Sequence, residues 1–141
     1  MQFSLKLMPS QKKLYKVPDD FEALIRIFRH DEGGRSINAF NGIRWDFAYE
    51  GDNIDETGIY MIWPDFFDEN GNSLPTDQPL PVDKELPARM TIVMDEMREK
   101  IHAHRIKKGL RFFCHEGGKR VAEGQVTKIT SLHASRDKID N

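Results

Sequence analysis

Alternation of apolar and polar residues dominates this chain. Phe21, Ala23, Ile25 and Ile27 share one side of a period-two pattern, and Ile43, Trp45, Phe47 and Tyr49 share another. Phe112 and Cys114 alternate with Arg111, Phe113 and His115. Ile59-Tyr60-Met61-Ile62-Trp63 and Met90-Thr91-Ile92-Val93-Met94 are apolar on both sides. Each pattern predicts a β-strand, because successive strand side chains point to opposite faces. Lys100-Ile101-His102-Ala103-His104-Arg105-Ile106 also reads as a strand, although Val93 to Lys100 tolerates a short helix. Short strands divided by Gly, Asp and Asn turns predict an all-β sandwich or barrel. Phe21, Ile25, Trp45, Phe47, Ile92 and Phe112 are expected to share one core.

The punctuation refines this picture. Glu116-Gly117-Gly118-Lys119 offers the left-handed positions of a hairpin turn, and Gly124 marks a bulge or a close backbone approach. Residues 64–87 hold five of the seven prolines and the turn signal Asp68-Glu69-Asn70-Gly71-Asn72. They read as an excursion over the surface. Its aromatics, Trp63, Phe66 and Phe67, are expected to pack partly on the barrel, with Asp65, Asp68 and Glu69 as an outward acidic edge. Residues 1–20 form a lead segment, in which Phe3, Leu5 and Leu7 allow a short strand. Residues 21–130 form the domain proper. Residues 131–141 form a polar tail expected to fray.

Charge is abundant but balanced, with 21 basic and 23 acidic residues giving a net charge of −2. That argues against a strong nonspecific polyanion binder, whose affinity rests on phosphate neutralisation. The 141 residues can bury a core without disulfide staples, and Cys114 is the one cysteine. No stretch approaches a membrane span or a secretory signal. The expectation is a cytoplasmic protein with no membrane contact.

No catalytic set emerges, and no enzyme is expected. Cys114 and His115 are neighbours on a strand, so they point apart and cannot pair as nucleophile and base. His102, His104 and His115 invite a Zn²⁺ reading, but no carboxylate or cysteine is spaced to help, and a solvated strand face is preferred. Asp65, Asp68, Asn70 and Asn72 lack the spacing of a Ca²⁺ loop and read as an ordinary turn. No phosphate-cradling G-x-x-x-x-G-K-[ST] occurs, so neither GTP binding nor hydrolysis is expected. No metal and no cofactor are predicted.

A longer match lies across these segments. Gly109-Leu110-Arg111-Phe112-Phe113-Cys114-His115-Glu116-Gly117-Gly118-Lys119-Arg120-Val121-Ala122-Glu123-Gly124-Gln125-Val126-Thr127-Lys128-Ile129 resembles the last hairpin of translation elongation factor Tu. Phe21 to Ile27, then Asp31-Glu32-Gly33-Gly34-Arg35, resembles the opening of the same C-terminal barrel, domain III. Gly42-Ile43-Arg44-Trp45-Asp46-Phe47 and Thr57-Gly58-Ile59 resemble its second strand and the start of its third. The resemblance spans roughly residues 21–130 and is interrupted at 64–87. It implies a small closed antiparallel β-barrel standing without the GTPase domain.

The resemblance also implies a role. In the family, domain III holds the T-stem backbone of tRNA through its two Glu-Gly-Gly turns. The matching positions are Arg35, Thr57, Glu116 and Gly117, with Lys119 adding charge at the second turn. His102 stands where the family presents a lysine to the RNA, His115 replaces an arginine, and Asp46 replaces a glutamine. These changes weaken the positive surface, so any tRNA binding is expected to be weak and to tighten toward pH 6 as His102 and His115 gain charge. The expected function is therefore a non-catalytic, translation-associated binding module for tRNA or for partners of the elongation factor. The alternative is a protein–protein inhibitor or decoy, such as an immunity protein against a toxin, that uses the 64–87 insertion. A basic strip through Arg35, Arg44 and Lys119 favours RNA; an apolar patch of Phe66, Phe67 and Leu74 favours a protein.

Overall fold

A computed structural model describes residues 11–139. The possible strand at Phe3 to Leu7 lies outside the described residues. Six strands form the frame: β1 (Phe21–Ile27), β2 (Trp45–Tyr49), β3 (Tyr60–Phe66), β4 (Glu85–Ile92), β5 (Arg111–Glu116) and β6 (Lys119–Ile129). They pair antiparallel in the order β1-β4-β3-β2-β5-β6, and β6 closes on β1. The chain is a small closed antiparallel β-barrel. Closure leaves no sheet edge open.

Period-two spacing explains the interior. Phe21, Ala23, Ile25 and Ile27 of β1 are all buried, as are Trp45, Phe47 and Tyr49 of β2. They meet Ile62, Phe66, Met90, Ile92, Phe112 and Val126 in one core. Phe47 and Phe112 stack with centroids 4.7 Å apart, and Phe21 meets both edge-on. Gly124 of β6 lies directly beneath the Phe112 ring, where any Cβ would collide. The close approach expected there is real.

The excursion is shorter and better anchored than the prolines suggest. Pro64 to Phe66 belong to β3, and Glu85 to Pro87 belong to β4. Pro64 is tolerated because the β2 ladder stops at Ile62, so no partner on that side waits for its missing N–H. Leu80, inside the excursion, is buried in the core.

The outward acidic edge is not observed at Asp65, which is 3 % exposed. Its carboxylate takes Arg89 Nε at 3.4 Å and the Leu14 N–H at 3.1 Å. Arg89 also donates to the carbonyls of Gly71 and Lys12 and lies over the Phe67 ring. This pair therefore ties the excursion and the lead segment to the barrel. Asp68 Oδ1 accepts from the N–H groups of Asn70 and Asn72, an ordinary Asx turn.

The stretch read as a strand at Lys100–Ile106 is helical. A short helix α2 (Asp95–Met97) runs into a π-helical turn (Arg98–His102) and then α3 (Ala103–Arg105). An earlier helical turn, α1 (Ile54–Thr57), follows β2. Both periods fit the sequence of the connector. The helical one wins because it lets Arg98 and His102 reach buried partners, whereas a strand would place His102 and His104 on the same face. Over its described length the tail is packed on the barrel instead of standing free: Leu132 is buried, and Arg136 is inserted against Asp20 and Asp95. Among the described residues, no helix is long and apolar enough to cross a membrane.

Candidate binding surface

The first Glu-Gly-Gly turn does not close a hairpin. It ends a 3₁₀ turn (His30–Glu32) after β1, with Glu32 Oε1 accepting the Arg29 N–H at 2.8 Å. Gly34 is pressed against the carbonyls of Phe28 and Arg29, leaving no room for a Cβ. The chain then turns, and Arg35 reaches across the end of the barrel.

The second turn joins β5 and β6. Glu116 pairs with Lys119, so Gly117 and Gly118 alone make the bend. Gly117 has φ +60, a conformation that favours glycine. Gly118 lies outside the left-handed region, and a Cβ there would meet nothing within 4 Å. The fold therefore explains the first glycine of this turn and not the second.

The two turns, distant in sequence, meet. Arg35 Nε lies 2.8 Å from Glu116 Oε2, and the indole N–H of buried Trp45 donates to the same oxygen at 3.0 Å. The structure thus brings together Arg35, Glu116, Gly117 and Lys119. Lys119 is exposed and has no ion-pair partner among the described residues, while Arg120 lies 3.9 Å over the Phe113 ring.

Beside Arg35 opens a cleft of about 410 Å³ in which Ile27, Phe28, Ile37, Ala39 and Val82 meet Arg29, His30, Asp31, Ser36 and Asn38. Ile37 is 70 % exposed, and Phe40 and Val82 are also exposed. This apolar surface was not foreseen. Apart from Ile27 at the end of β1, its residues sit singly in loops, so no periodic pattern marks them.

Thr57 and His102 are elsewhere. Thr57 sits in α1, beyond the opposite end of β2 from Trp45, and its hydroxyl donates to the Asn53 carbonyl. His102 is 1 % exposed, with Nδ1 2.6 Å from Tyr49 Oη and Nε2 unpaired. Burial, then the nearby Arg105 cation, lowers its pKa to about 4. Its imidazole is packed inside the barrel, and burial keeps it neutral near pH 6. His115 is also buried, and burial followed by Arg120 lowers its pKa. The expectation that these two imidazoles face outward and gain charge toward pH 6 is therefore corrected: both are buried, and burial disfavours the charged form of each. With His104 exposed on α3, the three imidazoles share no face, and no metal-binding cluster exists among the described residues. Buried Cys114 has its pKa raised by desolvation, as an inert core thiol should.

Neither of the two surfaces expected to discriminate RNA from protein forms. The basic strip is interrupted: Arg35 is neutralised by Glu116, and Arg44 lies over the Trp63 ring. The apolar patch of Phe66, Phe67 and Leu74 is also absent, since Phe66 is fully buried and the other two are half-buried. Along the flank of β1, β6 and β5, an ion-pair chain links Asp31, Arg29, Asp83, Arg26, Glu123, Arg111 and Glu50. Glu32 joins it through Arg26, so acidic groups outnumber the arginines they hold. No protein-family model matches the sequence.

Proposed function

We propose that this chain is a non-catalytic, translation-associated binding module resembling domain III of elongation factor Tu. Its ligand would seat on the barrel end where the two Gly-Gly turns converge. The observation that carries this reading is the Arg35–Glu116 contact, which joins both turns into one surface beside an exposed apolar cleft. A second support is Gly118, which no demand of the fold explains and which leaves its backbone open to close approach.

A protein partner suits this surface better than tRNA does. Arg35 is already neutralised, and the neighbouring flank carries more carboxylates than arginines. Phosphate contacts there would be few. Exposed Ile37, Phe40 and Val82 instead provide the apolar centre that protein interfaces use. This favours a factor that holds a protein partner, as an inhibitor or decoy would. The tRNA reading keeps one specific support: the open space at the Gly118 Cα, next to exposed Lys119 and Arg120.

Two measurements separate the readings. Labelled bulk tRNA is titrated at low salt against wild type and Lys119→Ala/Arg120→Ala. Proteins retained by wild type are compared with those retained by Ile37→Glu/Val82→Glu. The protein reading expects flat tRNA anisotropy and a partner lost from the cleft variant. Salt-dependent tRNA binding that the lysine–arginine variant weakens would replace it with the RNA reading. Unchanged retention together with flat anisotropy would remove this barrel end as the binding surface.

A further inference from the structure

After β6 the chain crosses the opposite end of the barrel in two distinct stages. Thr130, Ser131 and Leu132 are fixed by backbone hydrogen bonds to Asp19 and Asp20, and Leu132 is buried. His133, Ala134 and Ser135 are then exposed, although the Ala134 N–H donates to the Ser131 carbonyl and its own carbonyl accepts from Arg98 Nη2 at 2.7 Å. Arg136 turns back in, its side chain only 4 % exposed. Its Nη1 lies 3.1 Å from Asp20 Oδ2, its Nε donates to Asp95 Oδ1 at 3.0 Å, and its Nη2 donates to the Ile92 carbonyl. Asp95 Oδ2 then accepts the Ile139 N–H at 2.9 Å.

The hydrogen bonds that hold Arg136 and Ile139 thus converge on one planar guanidinium and one carboxylate. The notch that receives them does not depend on Arg136 for its charge balance. Asp20 Oδ1 is already paired with Arg98 Nε at 2.7 Å, and Asp20 Oδ2 accepts the Ile92 N–H at 2.8 Å. Removing a lone partner from a buried carboxylate is costly, but here a second cation stays behind. Asp95, the other ligand, is a quarter exposed and can rehydrate. Clefts of about 450 and 420 Å³ adjoin the crossing.

We propose that residues 135–139 are a latch, hinged at Ser135 and held shut by the Arg136 guanidinium in the notch of Asp20, Asp95 and the Ile92 carbonyl. Opening leaves the barrel intact and presents that notch to an arginine side chain of another molecule. Arginine is the fitting class because the carboxylate and carbonyl oxygens address its Nε, Nη1 and Nη2 separately, which a single ammonium cannot match.

The test uses the full chain as wild type and as Arg136→Ala, with N-acetyl-L-arginine amide and its lysine counterpart as probes at millimolar concentration. Arg136→Ala should fold, with the Ile139 amide exchanging roughly tenfold faster or more. The arginine amide should raise the thermal midpoint of Arg136→Ala but not that of wild type, and the lysine amide should raise neither. Equal effects of the two amides, or none from either, would overturn the guanidinium notch. Native-state hydrogen exchange on wild type covers the case in which the variant fails to fold. Exchange at 136–139 through an opening cheaper than that of β1 and β6 supports the latch; exchange only with global unfolding refutes it.

Discussion

Tyr49 Oη and His102 Nδ1 stand 2.6 Å apart inside the barrel, and this contact couples the π-helical turn to β2. The unfolded chain titrates this histidine near 6.5, whereas the folded chain does so at about 4. Above pH 6.5 both states are neutral, and the full contribution to stability is present. As pH falls from 6.5 toward 4, the unfolded state takes up a proton that the folded state refuses. Stability should then decline by about 3 kcal/mol over that window. Urea denaturation at several pH values measures the slope, and His102→Gln should flatten most of it. An unaltered slope in that variant would assign the titration to another group, His115 first.

Phe112 and Gly124 fit each other as ring and socket. Phe112→Ala should cost about 3–5 kcal/mol, because it empties the space beside Phe47 and Phe21. Gly124→Ala should cost about 1–3 kcal/mol by overpacking the same ring. Combined with Phe112→Leu, Gly124→Ala should cost less than the sum of the two changes. Strict additivity in that cycle would show that the ring does not feel the added methyl group.

Asp65 and Arg89 are both nearly inaccessible, so removing one strands the other. Asp65→Ala should destabilise by about 3–5 kcal/mol, well beyond an exposed pair. It should also raise exchange at the Leu14 amide, which Asp65 Oδ2 holds. Denaturant midpoints together with exchange at Leu14 check both effects. A loss below about 1 kcal/mol would mean that the other bonds of Arg89 suffice to keep it buried.

The strands of the barrel were legible because each repeats its apolar residues at period two: Phe21 to Ile27 and Trp45 to Tyr49 announce their inward faces directly. The connector was not legible. Met97, Arg98, Ile101 and His102 fit a helical face, while His102, His104 and Ile106 fit a strand face. What decided between them was the set of partners, Asp20 for Arg98 and Tyr49 for His102, which lie far away in the chain. Buried charge escaped for the same reason, since Asp65 reads as a surface residue until Arg89 is opposite it. At the binding surface, the glycine turns were conspicuous, but their meeting through Arg35 and Glu116 is a property of barrel closure. Of the apolar cleft only Ile27, at the end of β1, carried a periodic trace; Ile37 and Val82 carried none.

The second turn offers a way to test binding without disturbing the fold. Gly117 is needed for its φ of +60, so Gly117→Ala should cost about 1 kcal/mol. Gly118 faces open space at an ordinary φ, so Gly118→Ala should leave stability within about 0.5 kcal/mol. If a ligand rests on the backbone there, the same methyl group must weaken its binding, because the approach that glycine allows is closed. Thermal melts of both variants establish the stability difference. Retention of the wild-type partner, or tRNA anisotropy if RNA is the ligand, is then compared between wild type and Gly118→Ala. A several-fold loss of binding with an unchanged melt would locate the ligand on the turn. Undiminished binding would move the contact to the apolar cleft, where Ile37→Glu and Val82→Glu are the variants that should abolish it.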